Sequence, residues 1–311
     1  MAPGSVISRR RALERIAPLM MLILVAAACS SAASSSPQAS GAPPSAAQAS
    51  AVATSVGPKD LILATTTSTQ DSGLLDVLVP AFQQATGYVV KTVAVGSGQA
   101  LKMGQDGNAD VIFVHSPAAE KTFMEADWGV DRRLVMHNYF LIVGPKNDPA
   151  GIMGLASAAD AFKKIAAAGA TFVSRGDGSG TETKELAIWK TAGTTPTGNT
   201  WYLQSGQGMG PTLQIASEKG GYTLTDNATF LSNSSKLSLD VLVQGDPVLL
   251  NIYHVISVNP AKWPKVNIAG AKAFADYVTS PAGQALIGSF GSQYTQPLFI
   301  ADAGKAESDV K

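Results

Sequence analysis

Three stretches concentrate hydroxyls and glycines just ahead of a helical pattern: TTTSTQDSG (Thr65 to Gly73), VGSGQA (Val95 to Ala100) and SRGDGSGT (Ser174 to Thr181). A helix N-terminus offers unpaired backbone N–H groups and a partial positive charge. Glycine lets that backbone approach a ligand closely, and hydroxyls add neutral donors. Together these are the parts of an anion site. Ordinary helix capping draws on the same residue types, but it does not need the four consecutive hydroxyls of Thr65 to Ser68. Arg175 adds a guanidinium, a planar fork of donors suited to a tetrahedral oxyanion. Asp177, two residues on, can hold that fork in place, or the two can form a surface pair that matters little. Arg175-Gly176-Asp177 also has the form of an adhesion signal. That role needs an exposed loop tip, whereas here the tripeptide leaves an apolar strand and enters a helix.

The elements that must position these loops follow from hydrophobic periodicity. An apolar run over Leu61 to Ala64 precedes a helical pattern with Leu74, Leu75, Val77, Leu78, Ala81 and Phe82 on one broad face. Asp71 or Ser72 can cap it, and Pro80 should kink it or mark a restart. The β-branched run Tyr88 to Val95 predicts a strand, GSGQALKMG a short helix, and Asp110 to His115 another strand with a helix after it through Ala126. This alternation is the pattern of a parallel sheet with helices on its faces. Later come a strand at Tyr139 to Val143, a helix near Asp160 to Ala168, the strand TFV and a helix from Thr181 to about Lys190. GQGMGPTLQIASEKGG repeats the loop-to-helix step, Val248 to Val258 predicts a long strand, and AGAKAFADYVTS a late helix. In open α/β sheets ligands sit at the carboxyl ends of the strands, where these loops fall. If the strands at Tyr139–Val143 and Val248–Ile256 both pass between two α/β lobes, they form a hinge, and loops from the two lobes face each other across one cleft.

The chain has 311 residues, 45% of them apolar, enough for one large or two smaller cores. Its formal net charge of zero gives no electrostatic case for nucleic acid. Arg9, Arg10, Arg11 and Arg15 precede an apolar stretch from Ile16 to Ala28 that is too short for a membrane span and ends in small residues. That is the form of an export signal. Ser8-Arg9-Arg10 is compatible with twin-arginine export, as with any basic leader. The sole cysteine, Cys29, follows three alanines and fits a lipoprotein cleavage site better than a stray thiol. From Ser30 to Pro58 there is no charged residue, and Ala, Ser, Pro and Gln dominate. Such a segment reads as a flexible tether with a reach of about 30 Å. Removal of residues 1–28 leaves 19 basic and 22 acidic residues, a net charge of −3.

TTTST-DSGLL, VAVGSGQAL, DVIFVH, SRGDGSGT, WYLQSGQGMG and VNP, in that order, resemble the tungstate-binding proteins of bacterial ABC importers over most of residues 60–300. RGDGSGT is also similar to the R-x-D-G-S-G-T of phosphate-binding proteins. The resemblance implies a two-lobed type II periplasmic-binding fold, each lobe a mainly parallel sheet flanked by helices, with two crossover strands between them. It divides the chain into lobe I (59–142 and 251–300), lobe II (143–250) and a polar tail (301–311), after a signal (1–28) and a lipidated tether (29–58). It implies a monomer without catalysis or cofactor, partnered by ABC permease and ATPase subunits and held at the outer face of the cell membrane by the lipid on Cys29. By motif match, Thr66, Thr67, Ser68, Ser97, Arg175, Ser179, Gly180 and Thr181 would hold the oxyanion. Gly176 would make room, Asp177 would orient Arg175, and the metal would arrive as an oxyanion rather than a free cation.

Protonation chemistry bears on the choice of anion. Phosphate carries a proton near neutral pH, so its receptors benefit from a carboxylate acceptor. At the corresponding strand end this chain has His115, which can accept one hydrogen bond when neutral and only donates when charged. A fully ionised dianion such as tungstate, molybdate or sulfate needs only donors. A strand-end histidine with purely local bonds accounts for His115 equally well. The competing class is a lipid-anchored hydrolase with His115, His137 or His254 as base, but no G-x-S-x-G or H-E-x-x-H accompanies them. Trp201, Tyr202 and the three histidines could line a cleft or pack as core.

Overall fold

The computed structural model describes residues 59–294 and 296–311. The export signal, Cys29 and the tether lie outside the described residues. In chain order the elements are β1 (Asp60–Thr66), α1 (Thr67–Asp71), α2 (Leu74–Thr86), β2 (Val89–Val95), α3 (Ser97–Gln105), β3 (Val111–Val114), α4 (Pro117–Glu125) and β4 (Gly129–Pro145). There follow α5 (Ala158–Ala168), β5 (Phe172–Ser174), α6 (Gly180–Thr191), β6 (Tyr202–Gln204), α7 (Met209–Lys219), β7 (Thr223–Asp226), α8 (Asn227–Asn233) and β8 (Leu239–Val243). The chain closes with β9 (Leu250–Val258), α9 (Ile268–Val278), α10 (Pro281–Ser289) and β10 (Ile300–Ala301). No helix among the described residues is long and apolar enough to cross a membrane.

Strand β4 organises both lobes. Its first part, from Gly129 to Tyr139, pairs antiparallel with β9 in a sheet ordered β10-β4-β9-β3-β1-β2. Its second part, from Phe140 to Pro145, pairs with β7 and β8 on the other side. The strand therefore leaves one lobe and enters the next without a break, and β9 makes the return, with Asn138 directly opposite Asn251. The hinge strands are those the apolar runs pointed to, but β4 begins ten residues before Tyr139. Asp131, Arg132 and Arg133 interrupt the apolar alternation there, and each arginine is neutralised in place. Arg132 reaches Glu120 at 2.9 Å and Glu307 at 3.1 Å, and Arg133 reaches Asp131 at 2.6 Å and Asp276 at 2.7 Å.

The sheets are mixed rather than mainly parallel. Parallel pairing between strands is found in β2-β1-β3 and in β5-β6, where helices supply the crossovers, with one further parallel bridge from Phe172 to Tyr222. Every pair involving a hinge strand is antiparallel, because the chain passes from lobe to lobe and back without a helix returning it to the same end. Pro80 neither ends nor restarts α2, which runs through it, and the cap is Gly73 rather than Asp71 or Ser72. The residues read as a polar tail are docked: Asp302 is buried against His137 at 2.5 Å, and Glu307 holds Arg132.

Each lobe has its own apolar core. Leu61, Leu63, Leu78, Phe82, Phe113 and Phe274 fill the first. Phe162, Phe172, Trp189, Tyr202 and Tyr222 dominate the second, where the Phe162 and Trp189 rings lie 4.3 Å apart. Trp201 and Tyr202 thus belong to the core of the second lobe.

Candidate functional site

Strand β1 delivers Thr65 and Thr66, buried, straight into α1, so the first hydroxyl-rich stretch is a strand end and a helix start with no loop between them. Beside it in the sheet, β2 ends at Val95 opposite Thr66 and leads through Gly96 into α3. From the other lobe, β5 ends at Ser174 and the chain passes through Arg175 to α6, capped by Ser179. A fourth helix start joins them. Gly208 caps α7, and the Met209 N–H donates to Thr67 Oγ1 at 3.3 Å.

The two lobe faces touch through these helix starts. Gly98 N–H donates to Gly178 O at 3.3 Å, Gly210 N–H to Asp71 Oδ2 at 2.8 Å, and Thr229 Oγ1 lies 3.2 Å from Ser68 O. Packing is close enough to require glycine: a Cβ on Gly98 would meet Gly178 O at 2.7 Å. One on Gly180 would meet His115 O at 2.9 Å and both Ser97 Oγ and His115 Nδ1 at 3.1 Å. Ser97, His115 and the start of α6 are therefore immediate neighbours.

Arg175 lies at the centre, with only 2% of its surface exposed. Its Nε donates to Gln207 O at 2.9 Å, and its Nη2 donates to Thr67 Oγ1 at 3.0 Å and to Asp177 Oδ2. Asp177 also accepts the Ser179 N–H through its other oxygen. The pair is thus no surface ion pair, and its burial excludes the exposed loop tip an adhesion signal needs. Gly176 between them has φ +60° and lies so close to Gln204 that a Cβ would be 2.7 Å from the Gln204 Cβ.

The hydroxyls divide into occupied and unoccupied. Thr66 Oγ1 contacts Thr69 Oγ1 at 2.8 Å and caps α1 by accepting the Thr69 N–H, while Ser179 Oγ caps α6 by accepting the Glu182 N–H. Both expected ligand hydroxyls therefore already serve as caps. Thr67 Oγ1 accepts from Arg175 and from Met209. Ser97 Oγ and Thr181 Oγ1, by contrast, are buried without a hydrogen-bond partner among the described residues. Ser68 Oγ also lacks a partner within hydrogen-bond distance, although it lies near enough to the Asp226 carboxyl to draw its pKa downward. A buried hydroxyl without a partner is costly and uncommon in a folded protein.

His115 follows directly on β3 and is buried, with Nδ1 2.9 Å from Asn251 Oδ1. Burial, and then the nearby Arg175 charge, lower its pKa to about 4, so it is neutral at pH 7. His137 pairs with Asp302 and Tyr139, and His254 with Glu120 and Arg132, all within the first lobe. Asp71, Gln207, Gly208, Met209 and Asp226 were not among the expected site residues. GQGMG is legible as a loop-to-helix step, and the same glycine pattern as at the other helix starts is the signal that could have placed the α7 start at the site.

Two lobes joined by crossover strands, with helix starts converging on a buried arginine between them, define a periplasmic-binding class of protein. Residues 33–282 match the model of the PBP superfamily domain. The tungstate-binding protein TupA of Peptoclostridium acidaminophilum is 49% identical over 248 residues, covering 79% of this chain and 86% of the relative. A solved structure described as the tungstate ABC transporter from Geobacter sulfurreducens is 50% identical, with TM-score 0.67, covering 76% of this chain and 98% of that one. The tungstate-binding protein from Desulfovibrio alaskensis G20 is 46% identical, with TM-score 0.66, over 79% and 99%. The chain belongs to the PBP superfamily and, within it, to the family of the tungstate-binding proteins of ABC transporters.

Proposed function

We propose that the protein captures tungstate between its two lobes and delivers it to an ABC permease and its ATPase. The observation that carries this reading is the pair of unpartnered, buried hydroxyls on Ser97 and Thr181, on opposite lobes and at the starts of α3 and α6. A tetrahedral oxyanion accepts from hydroxyls, backbone amides and a guanidinium at once. In this reading Ser97, Thr181, Ser68, the Gly180 amide and Arg175 face the anion. Thr67 and Asp177 hold the Arg175 fork, and Thr66 and Ser179 hold the helix starts. His115 is neutral and brings no charge to the site. The names of the relatives support tungstate among the tetrahedral anions. Export by the leader over 1–28 and anchoring through Cys29, with residues 30–58 as tether, complete the proposal and suit a monomer working at the outer face of the membrane.

Titration calorimetry with tungstate, molybdate, sulfate and phosphate tests it. One tungstate per chain, bound far more tightly than sulfate or phosphate, is the expected result. No heat with any of the four sinks the reading. For the anchor, Cys29→Ser should release the protein from membranes, and unchanged retention counts against lipidation.

A further inference from the structure

A chain of buried polar side chains runs under the cleft through both hinge strands. His115 Nδ1 meets Asn251 Oδ1 at 2.9 Å, Asn251 Nδ2 donates to Asn138 Oδ1 at 2.8 Å, and Asn138 Nδ2 donates to Asp226 Oδ1 at 3.4 Å. Asn251 and Asn138 lie directly opposite each other on β9 and β4. The chain therefore links the end of β3 in one lobe to the end of β7 in the other. Asp226 is completely buried. Among the described residues it accepts from Asn138 Nδ2 and from the Thr229 N–H at 2.9 Å, and it meets Thr229 Oγ1 at 2.7 Å, with the Ser68 hydroxyl nearby; all of these are neutral.

The donor count at Thr229 favours a protonated carboxyl. Thr229 Oγ1 has one hydrogen, yet it lies 2.7 Å from Asp226 Oδ2 and 3.2 Å from Ser68 O. The backbone carbonyl of Ser68 can only accept. Both contacts are full two-centre hydrogen bonds if Asp226 Oδ2 carries a proton and donates it, leaving Thr229 to donate to Ser68; beside an ionised carboxylate the single hydroxyl hydrogen is shared between two acceptors. Asp226 Oδ1 then accepts from Asn138 and from the Thr229 N–H, and no polar atom of the carboxyl is left over.

We propose that Asp226 is a protonated acid whose hydrogen bond to Thr229 Oγ1 fixes the Ser68 end of α1 and keeps the wall behind it uncharged, making Asp226 a specificity-determining positioning residue for a fully ionised tetrahedral dianion. The proposal rests on the oxyanion reading above. Burial without a cationic partner acts in the same direction, since it raises the pKa of Asp226. The titratable groups that face it are the Tyr253 phenol from β9, itself held neutral by burial, and, along the polar chain, neutral His115. Asp71 of α1, beyond Ser68, takes the Gly210 N–H, and its pKa is also raised by burial. An ionised carboxylate at position 226 would repel a dianion. A neutral one leaves Arg175 and the helix starts unopposed and gives a proton-bearing anion no carboxylate to donate to.

Infrared spectroscopy and calorimetry on the full chain and its Asp226→Asn variant, with tungstate as probe, test the idea at neutral pH. Asparagine copies the neutral acid: its oxygen accepts as Oδ1 does, and its amide donates to Thr229. The expected result is a protonated-carboxyl band in the wild-type spectrum that the variant lacks, with tungstate affinity changed by less than about fivefold. Loss of only an ionised-carboxylate band overturns the proposal. So does a variant that binds at least about tenfold tighter, the result expected if a repelling charge had been removed. If the variant does not fold, isotope-labelled aspartate carboxyls in the Asp71→Asn protein, which removes the other aspartate whose pKa burial raises, carry the same spectral test. Failure of the wild type to bind tungstate sinks the oxyanion reading instead, and the ligand-free spectrum still decides the protonation of Asp226.

Discussion

The Arg175 guanidinium and the Thr67 hydroxyl are hydrogen-bonded across the cleft, Nη2 to Oγ1 at 3.0 Å. One residue follows β5 in the second lobe and the other opens α1 in the first, so the site's cation is also a bolt between the lobes. Arg175→Ala should therefore lower tungstate affinity by at least about a hundredfold, since it removes a buried charge-assisted donor and the contact that registers α1. Arg175→Lys should rescue little, because an ammonium cannot reach Gln207, Thr67 and Asp177 in one plane. Calorimetry on both variants checks this.

Ser97→Ala and Thr181→Ala should separate stability from binding. Each hydroxyl is buried without a partner, so its removal should leave the melting temperature of the ligand-free protein unchanged or slightly raised. Each should weaken tungstate binding by about tenfold or more, the effect of one hydrogen bond to a charged ligand. Thermal melts with and without tungstate give both readings from one sample.

Gly98→Ala should act on closure alone. The new methyl would lie 2.7 Å from Gly178 O, against the facing lobe, while alanine favours the first turn of α3. Tungstate affinity should fall, with the ligand-free melting temperature held or raised. Small-angle scattering of the loaded variant should show a less compact particle than the loaded wild type.

Glu185 should set a pH dependence of stability that is independent of the ligand. Burial in the second core raises its pKa from 4.5 to about 7, against hydrogen bonds from Tyr202 and Trp189. The folded state therefore binds a proton that the unfolded state has released, and this contribution to stability is lost as pH rises from about 4.5 to about 7. His115 works the other way: its lowered pKa costs stability as pH falls from 6.5 towards about 4. Glu185→Gln keeps an acceptor for Trp189 and Tyr202 and should be more stable than wild type at pH 8 by about 2–3 kcal/mol, a gain that vanishes near pH 4. Melting temperatures of the pair across that range are the check.

Much of this arrangement is legible before any coordinates. Hydroxyl and glycine runs between a β-branched run and a helical pattern locate the starts of α3 and α6, because backbone geometry at a strand-to-helix junction demands those residue types, whereas α1 hides in a stretch that reads as a polar loop ahead of Leu74. Arg175 and Asp177 stand out because a buried pair needs both members close in sequence or in space. The first half of β4 is hidden, since Asp131, Arg132 and Arg133 are polar in sequence and become paired only when α4, α9 and the C-terminal segment fold against them. Asp226 is hidden for a similar reason: its neighbours Ser68, Asn138 and Tyr253 come from three distant segments. Nor does residue type show which hydroxyls are already used, since Thr66 and Ser179 cap helices while Ser97 and Thr181 do not.

The central claim is that the cleft is a clamp of donors for a fully ionised tetrahedral anion. Calorimetric titration of the ligand-free protein at pH 7 with tungstate, and then of the tungstate-loaded protein with excess phosphate, tests it most directly. The account predicts one tungstate per chain, its heat abolished by Arg175→Ala, and no displacement by phosphate. Displacement of tungstate by phosphate, or undiminished tungstate binding by the Arg175→Ala variant, would contradict it.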